Sequence, residues 1–327
     1  MTLSLICPHD RHSLMETPAG LSCAECGRQY PIQDGVVCTL DHPDDFYEGA
    51  YENQTNFLPR SEKPWHSWPL WLINGGYLWT VRRFVPPDAT VVELGCAGGV
   101  RYFGQRYHMV GCDLSFLSLK KMEFYERRIQ ADAAVCIPLP DNSVDAVVSS
   151  NFWEHIPPSV KPNILKECQR ILRPGGKIVF LYDVETENPL IRRYRHNNRP
   201  LYDKLFIEGD GHLGYQRPLE NLSLFEEAGF RVVEHQGMEK TWLQSPSANT
   251  KLAQFGTAGT SLLAWASRLG QKPFFYPYTA LMRLIDTLIC PWMPADWARI
   301  DLVVLEHGAQ ARLTRTTGDR FFRKDGA

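Results

Sequence analysis

Short runs of β-branched and apolar residues alternate with amphipathic stretches through the middle of the chain. Thr90-Val91-Val92-Glu93-Leu94, Met109-Val110-Gly111-Cys112, Asp145-Ala146-Val147-Val148-Ser149-Ser150 and Lys177-Ile178-Val179-Phe180-Leu181-Tyr182 have the profile of buried parallel strands. Between them, Phe116, Leu119 and Met122 recur at helical spacing, and Leu165 to Leu172 reads as a helix stopped by Arg173-Pro174-Gly175-Gly176. Further on, Pro218 to Ala228 reads as a helix closed by Gly229, Phe230 to Glu234 as a strand, and Ile300 to Glu306 as the last strand. Strands that alternate with helices predict an α/β fold, a doubly wound and mostly parallel sheet with ligands at the strands' C-terminal ends.

Two stretches interrupt this rhythm. Residues 183–217 carry Arg192-Arg193-Tyr194-Arg195-His196 and Arg199, a basic cluster suited to a phosphate or carboxylate, or equally a solvated face. Residues 240–299 are too long for a structureless loop, which predicts a helical cap. Within the cap Tyr278, Leu281, Ile285, Leu288 and Trp292 form a stripe at helical spacing. The stripe is expected to pack on the sheet or a partner, or else to cover an apolar or lipid-linked substrate or dip into a membrane interface. Residues 41–64 read as an acidic linker, 65–308 as the main domain, and 309–327 as a basic, disordered tail. Trp65, Trp68, Trp71 and Trp79 lead into the sheet, helical once past Pro69.

Length and charge narrow the class. At 327 residues and net charge −2, the chain is no bulk electrostatic coat for nucleic acid, and its 44% hydrophobic content excludes wholesale disorder. No run approaches the roughly 18 apolar residues of a membrane span, and Met1 to Cys7 has no basic leader, so a cytoplasmic protein is expected. Nine cysteines, an odd number, do not make a disulfide framework. Cys96, Cys112, Cys136 and Cys168 read as buried small hydrophobes, whereas Cys7, Cys23, Cys26 and Cys38 crowd the first forty residues.

The loop Gly95-Cys96-Ala97-Gly98-Gly99 follows the first strand of the central region. A dinucleotide fingerprint would place glycines at 95, 97 and 100, but Ala97 and Val100 stand at two of these. Glu93-Leu94-Gly95-Cys96-Ala97-Gly98-Gly99 instead resembles the acidic-x-Gly-x-Gly-x-Gly loop of class I S-adenosylmethionine-dependent methyltransferases, with Ala97 in place of the middle glycine. Three further segments carry the same resemblance in order. Asp113 ends the second strand at close to the roughly 20 residues expected of a ribose-binding acid. Ala131-Asp132-Ala133-Ala134, followed by Leu139-Pro140-Asp141-Asn142-Ser143-Val144-Asp145, is similar to a stretch whose first aspartate contacts adenine. Asn151-Phe152-Trp153-Glu154-His155-Ile156 resembles the x-x-L-E-H-I segment of the type that includes quinone-biosynthesis methyltransferases. The resemblance implies a seven-stranded Rossmann-like sheet. It also implies S-adenosylmethionine contacts from Glu93, Gly95, Cys96, Ala97, Gly99, Asp113, Leu114, Asp132, Ala133 and Asn151, with Glu93 facing the ligand's ammonium group.

Cys23-Ala-Glu-Cys26-Gly27 is a knuckle, two thiolates poised for one ion. Cys7-Pro8-His9-Asp10 has the shape of a second knuckle with Asp10 where a cysteine would stand. Cys7, Asp10, Cys23 and Cys26 thus form a candidate structural zinc set, with His9 or His12 as alternatives to Asp10. The run to Val36 resembles the zinc ribbons that accompany some methyltransferases, which gives residues 1–40 as a ribbon-like module.

Methyl transfer from a sulfonium needs in-line placement and, for a hydroxyl acceptor, loss of a proton. His155 and His212, the latter in Gly209-Asp210-Gly211-His212-Leu213-Gly214-Tyr215, are the candidate bases. Neither an Asp/Asn-Pro-Pro-Tyr signature nor a Pro-Cys pair follows the fourth strand, which disfavours exocyclic-amine and cytosine-C5 transfer. The leading expectation is O-methylation of a small-molecule, sugar or lipid-linked hydroxyl compound. The alternatives are an RNA methyltransferase using the ribbon and the Arg192–Arg199 cluster, and a non-catalytic cofactor-binding scaffold.

Overall fold

The computed structural model describes residues 4–40, 48, 71–256, 260–268 and 274–308. The expected linker, Trp65 and Trp68, and the basic tail lie outside these, apart from Glu48.

The N-terminal segment forms β1 (Leu14–Thr17), β2 (Gly20–Cys23) and β3 (Gln29–Tyr30) as one antiparallel sheet, then β4 (Ile32–Gln33) and β5 (Val36–Cys38) as a tight hairpin. Helix α1 (Tyr77–Phe84) leads to β6 (Thr90–Leu94), and α2 (Arg101–Gly104) to β7 (His108–Asp113). After α3 (Phe116–Lys120) come β8 (Arg127–Gln130), β9 (Val144–Ser150), α4 (Lys161–Ile171) and β10 (Leu172–Asp183). The first insert then holds α5 (Pro189–Asn197) and α6 (Arg199–Tyr202), and α7 (Pro218–Glu227) precedes β11 (Phe230–Met238). The second insert holds α8 (Pro246–Leu252), α9 (Thr260–Ser267) and α10 (Phe275–Leu288), before β12 (Ile300–His307) closes the sheet.

The main sheet has nine strands in the order β11-β12-β10-β9-β6-β7-β8-β5-β4, not the expected seven. Strands β6 to β12 make the seven, and the two extra strands come from the ribbon-like segment: β5 pairs in parallel with β8 through Val37 and Ile129. The N-terminal module is therefore stitched into the sheet edge. Ile6 N–H also donates to the Pro138 carbonyl, and Arg11 to Glu167 at 3.0 Å.

Alternate residues of the central strands face opposite cores. Val92, Leu94, Val110, Val147 and Phe180 pack with Trp153, Ile164 and Phe225 on one side; Val91, Met109, Ala146, Val148 and Val179 pack with Tyr77, Val81 and Phe103 on the other. Burial on both faces is what unbroken apolar strands require. Cys96, Cys112, Cys136 and Cys168 are buried, as their surroundings in sequence implied. The Arg173-Pro174-Gly175-Gly176 stop falls inside β10 as an irregularity, where the register to β9 shifts between Leu172 and Lys177.

Both inserts leave the sheet at one edge, since Asp183 and Met238 each pair with Ile300. They pack together around Ile191, Tyr194, Tyr202, Phe206 and Leu252. Arg299 ties their roots: its side chain donates to Glu239 at 2.7 Å, Asp183 at 3.2 Å and Ser245 at 2.9 Å. Helix α10 corrects the expected stripe. Tyr278 is buried, yet Leu281 and Leu288 are exposed and Trp292, just beyond the helix, is 89% exposed. The face turned inward instead carries Arg283 and Asp286, while Leu284 and Ile289 add to the outward apolar surface. Among the described residues no helix is long and apolar enough to cross a membrane.

Candidate active site

The parallel strands end on a common edge, and the residues expected to bind the cofactor gather there. Glu93 and Leu94 close β6, Asp113 closes β7 with Leu114 next, Asp132 and Ala133 follow β8, and Asn151 follows β9. At the turn out of β6, Gly95 takes φ +60°, and a Cβ there would run into the Phe152 ring. Close approach of the two loops is therefore why glycine occupies this position. Ala97 takes φ +36° despite its side chain, and its N–H donates to Asp113 Oδ2 at 3.0 Å. Asp113 Oδ1 accepts the Ser115 N–H at 2.9 Å, so one carboxylate spans two loops. Burial raises the Asp113 carboxyl above its usual range against the pull of these amides. Asp132 accepts the Ala134 N–H at 2.8 Å and so fixes the turn after β8.

Glu93 is held from behind the loop. It is buried, and the Tyr125 hydroxyl donates to it while itself accepting the Val100 N–H. Burial pushes its carboxyl up to about 8. Through Tyr125 the residue braces the end of the glycine loop. Cys96 and Gly99 are likewise turned to the core, where Gly99 sits against Met122. Glu48, in the stretch read as linker, accepts from Ser115 Oγ and Leu117 N–H, both at 3.2 Å, and so closes the start of α3. Only its acidity marked it in the sequence.

Past Asn151 the chain makes a short 3₁₀ turn over Trp153–His155. The loop 209–217 folds back on it: Gly214 N–H donates to the Glu154 carbonyl at 2.8 Å, and a Cβ at Gly214 would overlap the Ile156 carbonyl. Lys161, fully buried, donates to the Gly214 carbonyl and Gln216 Oε1, both at 2.8 Å, and lies 4.9 Å over the Trp153 ring. Burial pushes its ammonium down to about 7. This clamp brings the two candidate histidines together, their ring centroids 5.4 Å apart. His155 donates from Nδ1 to the Gly211 carbonyl at 2.9 Å, and His212 stacks on Tyr215 at 5.0 Å. Burial lowers the His212 pKa, which favours the neutral ring. Glu154 joins them, a residue not singled out in the sequence; burial and nearby Asp183 push its carboxyl up to about 8.

Part of the basic cluster is paired within the first insert. Arg195 pairs with Glu185 at 3.1 Å and Glu187 at 2.6 Å, Arg199 with Asp203 at 2.7 Å, and Arg192 lies 3.9 Å from Glu187.

At the other end, Cys7, Asp10, Cys23 and Cys26 place their ligand atoms within 4.8 Å of one another. Cys7 and Cys26 sulfurs lie 3.6 Å apart, and Cys23 approaches Asp10 Oδ2 at 3.2 Å. Thiolates bound tetrahedrally at about 2.3 Å from zinc stand about 3.8 Å apart, so the set fits that ion. Asp10 lies in this cluster, whereas His9 and His12 are exposed and outside it.

The glycine loop, Asp113 and Asp132 thus share one edge of a mostly parallel sheet. Residues 92–180 match the methyltransferase domain family. The chain is similar to the demethylmenaquinone methyltransferase of Bacillus licheniformis, 26% identical over 219 residues, 58% of this chain and 88% of that one. It is also 26% identical over 160 residues to the tRNA N(3)-methylcytidine methyltransferase of Drosophila melanogaster, covering 43% of this chain and 49% of that protein. A solved S-adenosylmethionine-dependent methyltransferase from Aquifex aeolicus superposes with a TM-score of 0.39 at 18% identity, over 52% of this chain and 87% of that one. The protein is an S-adenosylmethionine-dependent methyltransferase enzyme.

Proposed function

We propose that the enzyme methylates a hydroxyl oxygen of a small or lipid-linked acceptor. The observation that carries this reading is the pairing of half-buried His155 with buried His212, 5.4 Å between rings, on the short turn that follows Phe152, the residue packed against Gly95 of the glycine loop. Two imidazoles at the end of a cofactor edge suit removal of an acceptor proton. Glu93 and Tyr125 support the cofactor loop, while Asp113, Asp132 and Asn151 hold the nucleoside end. The outward apolar face of α10 and the insert core around Tyr194 and Phe206 support an apolar acceptor, or contact with a membrane surface where such an acceptor is held. Pairing of Arg195 and Arg199 with acidic neighbours within the first insert weakens the RNA reading, which the similarity to a tRNA methyltransferase supports.

The ribbon-like residues 1–40 hold one structural zinc through Cys7, Asp10, Cys23 and Cys26, and nine free cysteines support a reducing, cytoplasmic setting. The test of function is product analysis with labelled S-adenosylmethionine and pools of hydroxyl compounds. We expect an O-methyl product, with turnover reduced at least a hundredfold in His155→Ala and in His212→Ala. A hydroxyl acceptor methylated at full rate by both variants overturns the histidine roles, and a product methylated only on nitrogen overturns the reading itself. Zinc near one equivalent in the purified protein, lost in Cys23→Ser, is expected of the ribbon.

A further inference from the structure

Glu93 carries a charge problem at the cofactor edge. It closes β6 directly before the glycine loop, is 2% exposed, and takes its hydrogen bond from the Tyr125 hydroxyl. The charged group that acts on it is Asp113, of like sign, and among the described residues no lysine or arginine offsets it. Asp113 accepts the Ala97 N–H at 3.0 Å, so two carboxyl groups bracket the loop. The other titratable neighbours are the Tyr77 hydroxyl on α1, buried with no hydrogen-bond partner, and the buried Cys96 thiol; burial holds both neutral. Gly111 and Val148, which flank Glu93 in the sheet, carry no charge. Ionising Glu93 in this setting would leave a desolvated charge with one hydroxyl donor beside a second carboxylate, so the carboxyl keeps its proton. Its raised pKa, about 8, agrees.

We propose that Glu93 distinguishes the cofactor from its product by charge, giving up its proton when S-adenosylmethionine binds and keeping it when S-adenosylhomocysteine binds. The two ligands carry the same ammonium and carboxylate and differ by one methyl group and the positive charge of the sulfonium. With the sulfonium ligand on the glycine loop, Glu93 gains the counter-charge it lacks, which favours its ionised form. One proton then passes to solvent, and the carboxylate and the ligand attract each other in a site of low dielectric. Once the methyl group has gone, Glu93 again has no counter-charge, takes a proton back from solvent and loosens its hold on the product. Glu93 is thus a specificity-determining residue for the cofactor. The inference goes beyond the O-methylation reading: it rests on use of the cofactor and not on which acceptor atom is methylated.

The test counts protons and needs no acceptor. Titration calorimetry of the full chain at pH 7, in two buffers of different ionisation enthalpy, gives the protons released as each ligand binds. We expect about 0.5–1 proton released with S-adenosylmethionine and less than half of that with S-adenosylhomocysteine. Between pH 6 and 7.5 the affinity for S-adenosylmethionine should rise at least about fivefold relative to that for the product. Glu93→Gln, which keeps an acceptor for Tyr125, should bind both ligands, remove the difference in proton release and flatten the relative pH dependence. Infrared difference spectra read the same event on the unmodified protein: a protonated-carboxyl band that S-adenosylmethionine abolishes, that S-adenosylhomocysteine spares, and that Glu93→Gln lacks. Equal proton release by the two ligands overturns the proposal, whether or not the variant folds. A difference that survives in Glu93→Gln and disappears in Asp113→Asn assigns the proton to Asp113 and overturns it as well.

Discussion

The cofactor side and the acceptor side of the candidate active site meet at Phe152 but are built on different principles. The cofactor side is backbone: turns after β6, β7 and β8, each held by a carboxylate reaching one or two amides, as Asp113 reaches Ala97 and Ser115. The acceptor side is side chains brought from distant segments, Glu154 and His155 after β9 and His212 from the first insert, with Lys161 and Arg299 holding the segments in place. The first needs only that strands lie parallel. The second needs buried charge to be matched across long loops, so it is where substitutions should cost most and where relatives have most room to diverge.

Arg299→Ala should produce the largest effect. It strands Glu239 and Asp183 as buried carboxylates, and loss of one partner from such a set costs about 3–5 kcal/mol. Urea unfolding should show that loss, with the inserts opening first by hydrogen exchange. A change under 1 kcal/mol would mean the hub is not what fixes the acceptor side. On the cofactor side Asp113→Ala should weaken S-adenosylmethionine binding by about 2 kcal/mol in calorimetry, with global stability less affected.

A third prediction concerns pH. Asp286, buried in α10, accepts the Glu239 N–H and the Cys290 thiol, with Arg283 and Lys240 nearby, and burial pushes its carboxyl up to about 6. An acid whose folded pKa is raised takes up a proton on folding, so its contribution is fully present below about pH 4 and lost as pH rises through about 6. Asp286→Asn should flatten that decline and gain on the order of 2 kcal/mol at pH 7. An unchanged stability–pH slope would place the titration elsewhere. The smallest effect is expected at the glycine loop. Ala97→Gly relieves the left-handed backbone and should stabilise by about 0.5–1 kcal/mol, the relief being partly offset by unfolded-chain entropy.

These contrasts also explain what the chain disclosed beforehand. Strands β6, β7, β9 and β10 were legible because burial on both faces makes them unbroken apolar runs, and the carboxylates at their ends were legible because they sit a residue or two away. Strands β4 and β5, two and three residues long, are too short to show any period, so the nine-stranded sheet was not foreseen. Knuckle spacing pointed to Cys7, Asp10, Cys23 and Cys26, and the structure clusters those four and leaves His9 and His12 outside. His155 and His212 were named separately; their pairing was invisible because a loop more than fifty residues downstream supplies one of them. Glu154 lay inside a recognised segment and passed as pattern. The stripe on α10 was read by periodicity alone, which reports a face but not its direction. Arg283 and Asp286, satisfied by Gln236 and by the Glu239 amide, turned that face outward.

The hairpin of β4 and β5 bears on where the independently folding unit begins. The family match starts at residue 92, inside β6, yet the strand that covers the outer side of β8 is supplied from residues 36–38. Cutting the chain between that hairpin and α1 would bare a row of unpaired amides and carbonyls along β8, an invitation to pair with another molecule. Since the same hairpin continues directly from the cysteine cluster, Cys23→Ser should register first as self-association, with cofactor binding failing only afterwards.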